Sequence, residues 1–322
     1  MILTEDKTYT ISLETEDDDS ESGLTSKTIE LEFSSKELIH AIVCCGTPAQ
    51  RLTAAFPEKK RFELIYKLFM LETALEGEGD RLKKSKRTAF LDSSEKSVIT
   101  YYIGMIFTGL ISRRLYDVKY LTGLNQITSG DKEGFIDFFA SEWRSELIGY
   151  KLEDSEWSAW EAKGGSNRRE QALTKGTQQL NAISSINGCR PDPGAVCMTY
   201  FDHSFLCGII REPAESSAGE QLAFSDKDFF RAYYKPLCEL FVDRESHLRI
   251  YDSFAEISLN IPYFTEKYRE PDTRTIRVGM PVKLLNYLIE EDYNTVAKMR
   301  KNAADDTCPE GAFLGSDGIY IR

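Results

Sequence analysis

The chain has 322 residues, 41% hydrophobic and 29% charged, which suits a soluble globular protein of one large domain or two of ordinary size and excludes a disordered chain. The net charge of −12 excludes a molecule that is basic all over. That charge is uneven: residues 1–40 hold 11 acids and 3 bases, and the other 282 residues hold 41 acids and 37 bases, so a basic groove on an acidic protein stays open.

The opening "MILTEDKTYTISLE" has neither a basic nor an apolar leader segment, which predicts a cytoplasmic chain without a signal peptide. "TYTISLET" and "KTIELEF" alternate with period two around the acidic run 14–22, predicting an N-terminal β-hairpin with a long charged tip. From "SSKELIHAIVCC" to about residue 76 the apolar spacing is helical, with Leu64, Leu68, Leu71 and Leu75 on one face. The basic stretch 79–87 reads as a linker or exposed loop. Asp92, three residues before Glu95, predicts a capping box for a buried helix over "VITYYIGMIFTGLI" (98–111), which is too short for a membrane span. Gly104 and Gly109 on that helix would let another element come close.

"KEGFIDFFASEWRSELIGYKL" (132–152) reads as a helix followed by a strand around "SELIGYKL". "EWSAWEAKGG" is a strand ended by Gly164 and Gly165, and "SNRREQALTKGTQQLNAISSI" is a helix with Ser166 or Asn167 as N-cap. "GAVCMTYF" and "FLCGIIREP" are further strands. The tail reads as helices at about 226–242 and 281–300, with a turn at Asp317-Gly318. These elements predict an α/β fold in three parts: a hairpin and helical region at 1–90, a core at 91–215 and a helical C-terminal extension at 216–322 that ends in a hairpin.

Seven cysteines without a CxxC pair predict reduced thiols rather than a zinc site or a disulfide framework. Three histidines, with no HExxH or GxSxG, supply little for histidine-based hydrolysis. The absence of a GxxxxGK[ST] P-loop means that any nucleotide-driven step would come from another protein.

The chemistry concentrates in "WSAWEAKGGSN" (157–167). Side chains alternate along a strand, so Glu161 and Lys163 share one face. A phosphodiester nuclease needs carboxylates for a hard divalent cation and a cation near the attacking water. Glu146 in "SELIG" is the first candidate for a second carboxylate on a neighbouring strand, and Asp154 is the alternative. The following helix offers Lys175, Gln178 and Gln179, with 175 and 179 on one face. The alternative reading of Glu161 and Lys163 is a solvated surface ion pair of small energetic weight. Trp157 and Trp160, and the aromatic run 229–237, read as core packing before base stacking. Asp202-His203 reads as a surface turn.

An acid, then E-x-K at a strand end, a glycine break and a glutamine-bearing helix resembles the PD-(D/E)XK nuclease superfamily over about residues 132–211. "EAKGG", "YYIGMIFTGLISRRL", "INGCR" and "GSDGIYI" also resemble segments of bacterial proteins with this core. The first acid departs from the pattern, since "SE" stands where "PD" is expected. The resemblance implies a restriction-endonuclease-like mixed sheet flanked by helices. It implies Mg²⁺ (or Mn²⁺) held by Glu146 and Glu161, a lysine at 163 that positions water, and support from Gln178 or Gln179. The implied activity is cleavage of DNA, ahead of RNA, in bacterial defence or a toxin-like system, either as a homo-oligomer or with a partner ATPase or helicase. A non-catalytic immunity, adaptor or DNA-binding subunit on the same fold is the alternative.

Overall fold

A computed structural model of the chain describes residues 2–3, 6–19, 23–44, 58–128, 147–151, 156–213, 219–242, 248–251, 253–263, 272–301 and 309–322. The alternating segments at the N-terminus form β1 (Thr8–Asp19) and β2 (Gly23–Ser34), an antiparallel pair, followed by α1 (Ser35–Cys44) and α2 (Glu58–Ala74). The stretch expected to be a linker is instead structured. β3 (Leu75–Glu78) and β4 (Arg81–Lys84) form a hairpin through Gly79, which adopts a positive φ of 65°, and a 3₁₀ helix follows at Lys86–Phe90. Leu82 points into the core while the lysines around it reach outward, so the basic composition hid a strand.

The capping box forms as predicted. Asp92 accepts from the Glu95 N–H at 2.9 Å, and Glu95 accepts from the Asp92 N–H at 3.0 Å, opening α3 (Ser93–Tyr116). Residues 103–112 of α3 are buried. Next come β5 (Tyr120–Gly123), α4 (Leu124–Thr128), β6 (Leu147–Lys151) and β7 (Glu156–Gly164). α5 (Glu170–Leu180) starts later than expected, with Arg169 at the N-cap and no side-chain cap. Arg168 is drawn to Glu14 and Glu16, both at 2.6 Å, so the polar Ser166 and Asn167 belong to the connection and not to the helix. "ISSI" is likewise not helical but forms β8 (Ile183–Ile186), with Ile183 and Ile186 buried.

β9 (Gly194–Asp202) and β10 (Phe205–Glu212) follow, joined by a tight turn in which His203 and Ser204 have positive φ. The tail contains β11 (Glu220–Leu222), α6 (Asp226–Val242), β12 (Arg249–Tyr251), β13 (Phe254–Tyr263), β14 (Asp272–Pro281), α7 (Val282–Ile289), α8 (Tyr293–Lys301), β15 (Phe313–Leu314) and β16 (Tyr320–Ile321). The helical extension expected there therefore carries a five-stranded sheet as well, ordered β12-β13-β14-β16-β15. Its signal was the alternation of Ala255, Ile257, Leu259 and Ile261, all buried, along β13.

The protein is α/β, with a nine-stranded mixed sheet flanked by helices. The main path runs β2-β1-β4-β10-β9-β7-β6-β5. β3 pairs with β4, and β1 also pairs with β10 in parallel from Ser12–Cys207 to Asp17–Glu212. At the centre, β5, β6 and β7 are antiparallel to one another, and β9 lies parallel to β7 after the α5 crossover. α3 covers one face, where Trp160 meets Tyr116 edge-on. α5 covers the other, where Val196 and Glu161 lie under Gly176. Trp157 packs on Tyr150, Phe224 and Phe229, and Phe230, Tyr233 and Tyr234 close round Tyr120, so both tryptophans and the 229–237 run are core.

Candidate active site

β7 carries Glu161 and Lys163 toward α5, as the strand period requires. Glu161 is fully buried, and the Lys163 side chain is 18% exposed. The Lys163 ammonium donates to Glu161 Oε1 and, at 2.7 Å, to Gln179 Oε1 on α5. Three of the expected residues therefore meet on one face, each fixed by another element. Gln178 is exposed on the outer side of the helix, as is Lys175. Glu146 and Asp154 lie outside the described residues. Glu146 is the residue before Leu147, and Leu147 pairs with Trp160, the residue before Glu161.

Close packing holds this group. A Cβ at Gly176 would stand 2.6 Å from Val196 Cγ1 and 3.4 Å from Glu161 Cγ, so only glycine lets α5 sit this near β7. On the opposite face, a Cβ at Gly104 would stand 2.7 Å from the Lys163 carbonyl oxygen, and one at Gly164 1.7 Å from that of Thr100. Gly164 is thus still strand, and its role is to admit α3 rather than to end β7. The donor set is made of hard oxygens, the Glu161 carboxylate and the Gln179 amide carbonyl. Such oxygens are of the kind Mg²⁺ takes, and here one oxygen of each already accepts from the Lys163 ammonium.

A second cluster, which the sequence reading missed, joins the two ends of the chain. Asp317 is fully buried in the turn between β15 and β16. Its carboxylate accepts from His40 Nε2 at 2.9 Å, the Cys44 thiol at 3.3 Å, the Ile319 N–H at 3.1 Å and the Tyr233 hydroxyl. The signal was available: His40 and Cys44 are four residues apart on a helix, and Asp317 sits between glycines. A Cβ at Gly315 would lie 2.2 Å from His40 Nε2. His40, Cys44 and Asp317 are close enough together to ligate a metal. The surroundings argue otherwise. Arg113 Nη1 lies 2.6 Å from His40 Nδ1, and a guanidinium can only donate, so Nδ1 accepts and Nε2 carries the proton. Every polar atom of the three side chains is then used in hydrogen bonding, and His40 offers no free lone pair.

Ionisation follows the same geometry. Burial, reinforced by Arg113, depresses the His40 pKa. Burial works to raise that of Asp317, but His40, Arg113 and Tyr233 outweigh it and hold the carboxyl below its usual range. Cys44, Cys189, Cys197, Cys207 and Cys238 are free thiols, and burial pushes Cys197 up to about 12, far from reactivity.

Arg113, Arg114 and Arg168 are engaged internally. Arg113 holds His40, Arg114 meets Glu37 at 3.2 Å, and Arg168 bridges Glu14 and Glu16. Glu16, buried on β1, also takes Arg211 of β10 at 2.6 Å. The basic stretch 81–87 keeps Lys86 and Arg87 at the surface. No described helix is long and apolar enough to cross a membrane. Comparison of the chain with protein-family models, curated proteins and solved structures finds no match.

Proposed function

We propose that the protein is a Mg²⁺-dependent nuclease that hydrolyses phosphodiester bonds in DNA on a restriction-endonuclease-like core of the PD-(D/E)XK kind. The observation that carries this reading is the meeting of Glu161, Lys163 and Gln179 on one face of β7 beneath α5. It is supported by the order of elements around them: strand β6, the E-x-K strand β7, the glutamine-bearing helix α5, then the parallel strand β9.

Bound Mg²⁺ would polarise the scissile phosphate and acidify a water molecule. Glu161, with Glu146 as the second acid, would hold the ion. Lys163 would orient the attacking water and offset the charge that develops on the phosphate, an effect strengthened in a dry pocket. Gln179 would fix the lysine head once substrate and metal draw on Glu161. Purified protein with Mg²⁺ or Mn²⁺ is expected to cut DNA. Glu161→Gln and Lys163→Ala are each expected to lower the rate by about 100-fold or more. Cleavage that persists in either variant, or in excess EDTA, rules the mechanism out.

One observation favours a second reading, a non-catalytic interaction or immunity subunit. Glu161 is closed off from solvent and already ion-paired, while the acidity of the chain gathers in residues 1–40, where a basic partner would find it. Calorimetry with Mn²⁺ separates the two, since a nuclease binds the ion and a pure adaptor on this fold does not. By analogy with the PD-(D/E)XK superfamily, the setting is bacterial defence, with DNA supplied by a partner helicase or ATPase.

A further inference from the structure

A cleft opens at the end of β7, on the α3 face of the sheet. It is a shallow surface cleft whose enclosed space is only about 10 Å³, with Lys84, Lys96, Thr100, Ser166 and Phe201 in its walls. Ser166 is three residues beyond Lys163, at most about 11 Å along the chain. The Lys84 ammonium sits 5.7 Å from the Phe201 ring centroid. Lys84 and Lys96 form no salt bridge among the described residues, whereas Lys83 meets Glu76 and Glu78. After the hydrogen bond from the Glu95 N–H, the charge of Lys96 does help to hold the Asp92 pKa down. Lys86 and Arg87 stand exposed beside the cleft, and Phe90, two residues past the wall residue Thr88, is 91% exposed. The nearby acids, Asp92 and Glu95, are turned to each other's backbone N–H in the cap of α3.

Surface cations and a bare aromatic ring have a shared use. Phosphates neutralise the first, and an unstacked base covers the second. A duplex offers phosphates but no free base face. We infer that this cleft binds a single-stranded segment of nucleic acid as it runs from the Lys163 site around the end of β7. The inference rests on the nuclease reading for its direction, but the surface itself is independent of Glu161.

The test uses the full chain carrying Glu161→Gln, so that substrate stays intact. Fluorescence anisotropy measures binding of an oligo(dT) 20-mer and of a 20-base-pair duplex between 50 and 200 mM salt, settings on the order of those over which phosphate contacts show. Lys84→Glu/Lys96→Glu is expected to weaken the single strand at least tenfold at low salt. It should also reduce the slope of log K against log salt by about 1.4, two phosphates' worth. Phe90→Ala is expected to weaken the single strand roughly tenfold and leave the duplex unchanged. Lys84→Gln/Lys96→Gln carries the test if the charge reversal fails to fold, as judged by circular dichroism. Parent-like affinity in both lysine variants, equal losses for strand and duplex, or no strand binding by the parent overturns the inference. Failure of the nuclease reading looks different: the single strand binds through the cleft, yet the unsubstituted protein with Mg²⁺ cuts nothing. Conversely, cleavage with cleft variants that bind and cut normally removes the cleft and leaves the nuclease.

Discussion

Gln178 and Gln179 are adjacent in sequence and 100° apart on the helix, and that rotation separates their fates. Gln179 is buried with its carbonyl oxygen on the Lys163 ammonium, while Gln178 faces water. The pair is therefore an internal control. Gln179→Ala leaves Lys163 with one fewer acceptor and a gap under α5, and cleavage is expected to fall at least tenfold, about 1.4 kcal/mol of transition-state stabilisation. Gln178→Ala is expected to stay within about twofold, as a surface change remote from packing. Measuring kcat/KM for both on one DNA substrate decides the matter, and equal effects would remove Gln179 from the site. The sequence could narrow the choice to these two side chains but not resolve it. The helix begins at Glu170 rather than at 167 or 168, and the phase of α5 depends on where Arg168 is tied to β1.

At the scale of elements, β7 is gripped from both sides by glycine contacts: Gly104 and Gly164 admit α3, and Gly176 admits α5. In a solvent-exposed helix, Gly176→Ala would gain about 1 kcal/mol from propensity. Here the new methyl meets Val196 and Glu161, so the expected outcome is a net loss of about 1–3 kcal/mol in urea unfolding, with activity lost beyond the fraction unfolded because α5 carries Gln179 away from Lys163. A stabilised, fully active Gly176→Ala would show that α5 is not seated this closely. The role of Gly104 was legible because a glycine inside an apolar helix has few other uses. That of Gly164 was not, since a glycine pair after a strand reads as a stop. The same limit hid β4 and the C-terminal sheet. β4, whose outward residues are lysines, lacks the composition that marks a strand and is revealed only by its pairing, while β13 carried its alternation but was obscured by the prolines at the ends of β13 and β14.

Across the whole molecule, the chain is closed by contacts between its distant ends. β1 inserts beside β10 with Glu16 between Arg168 and Arg211, and α1 meets the final turn through His40 and Asp317, 277 residues apart. The spacing of His40 and Cys44 was a local signal, but their pairing with Asp317 was not readable, because a buried acid in an Asp-Gly turn looks ordinary alone. The closure predicts an acid sensitivity of definite sign. His40 is held neutral when folded and titrates near 6.5 when unfolded, so the unfolded state binds the extra proton first. Its contribution is full above about pH 6.5 and falls with decreasing pH by about 1.4 kcal/mol per unit until the depressed folded pKa is reached. Asp317, whose folded pKa is also depressed, adds loss only below about pH 4, its unfolded value. Urea midpoints between pH 7 and pH 5, followed by tryptophan fluorescence, are expected to show this slope, because Trp157 and Trp160 sit in the core that the closure completes. In His40→Gln the protein is expected to be weaker at pH 7 and its slope over the same window flatter. A wild-type slope retained in His40→Gln would mean that another group sets the acid response, and that the buried Asp317 network does not hold His40 neutral.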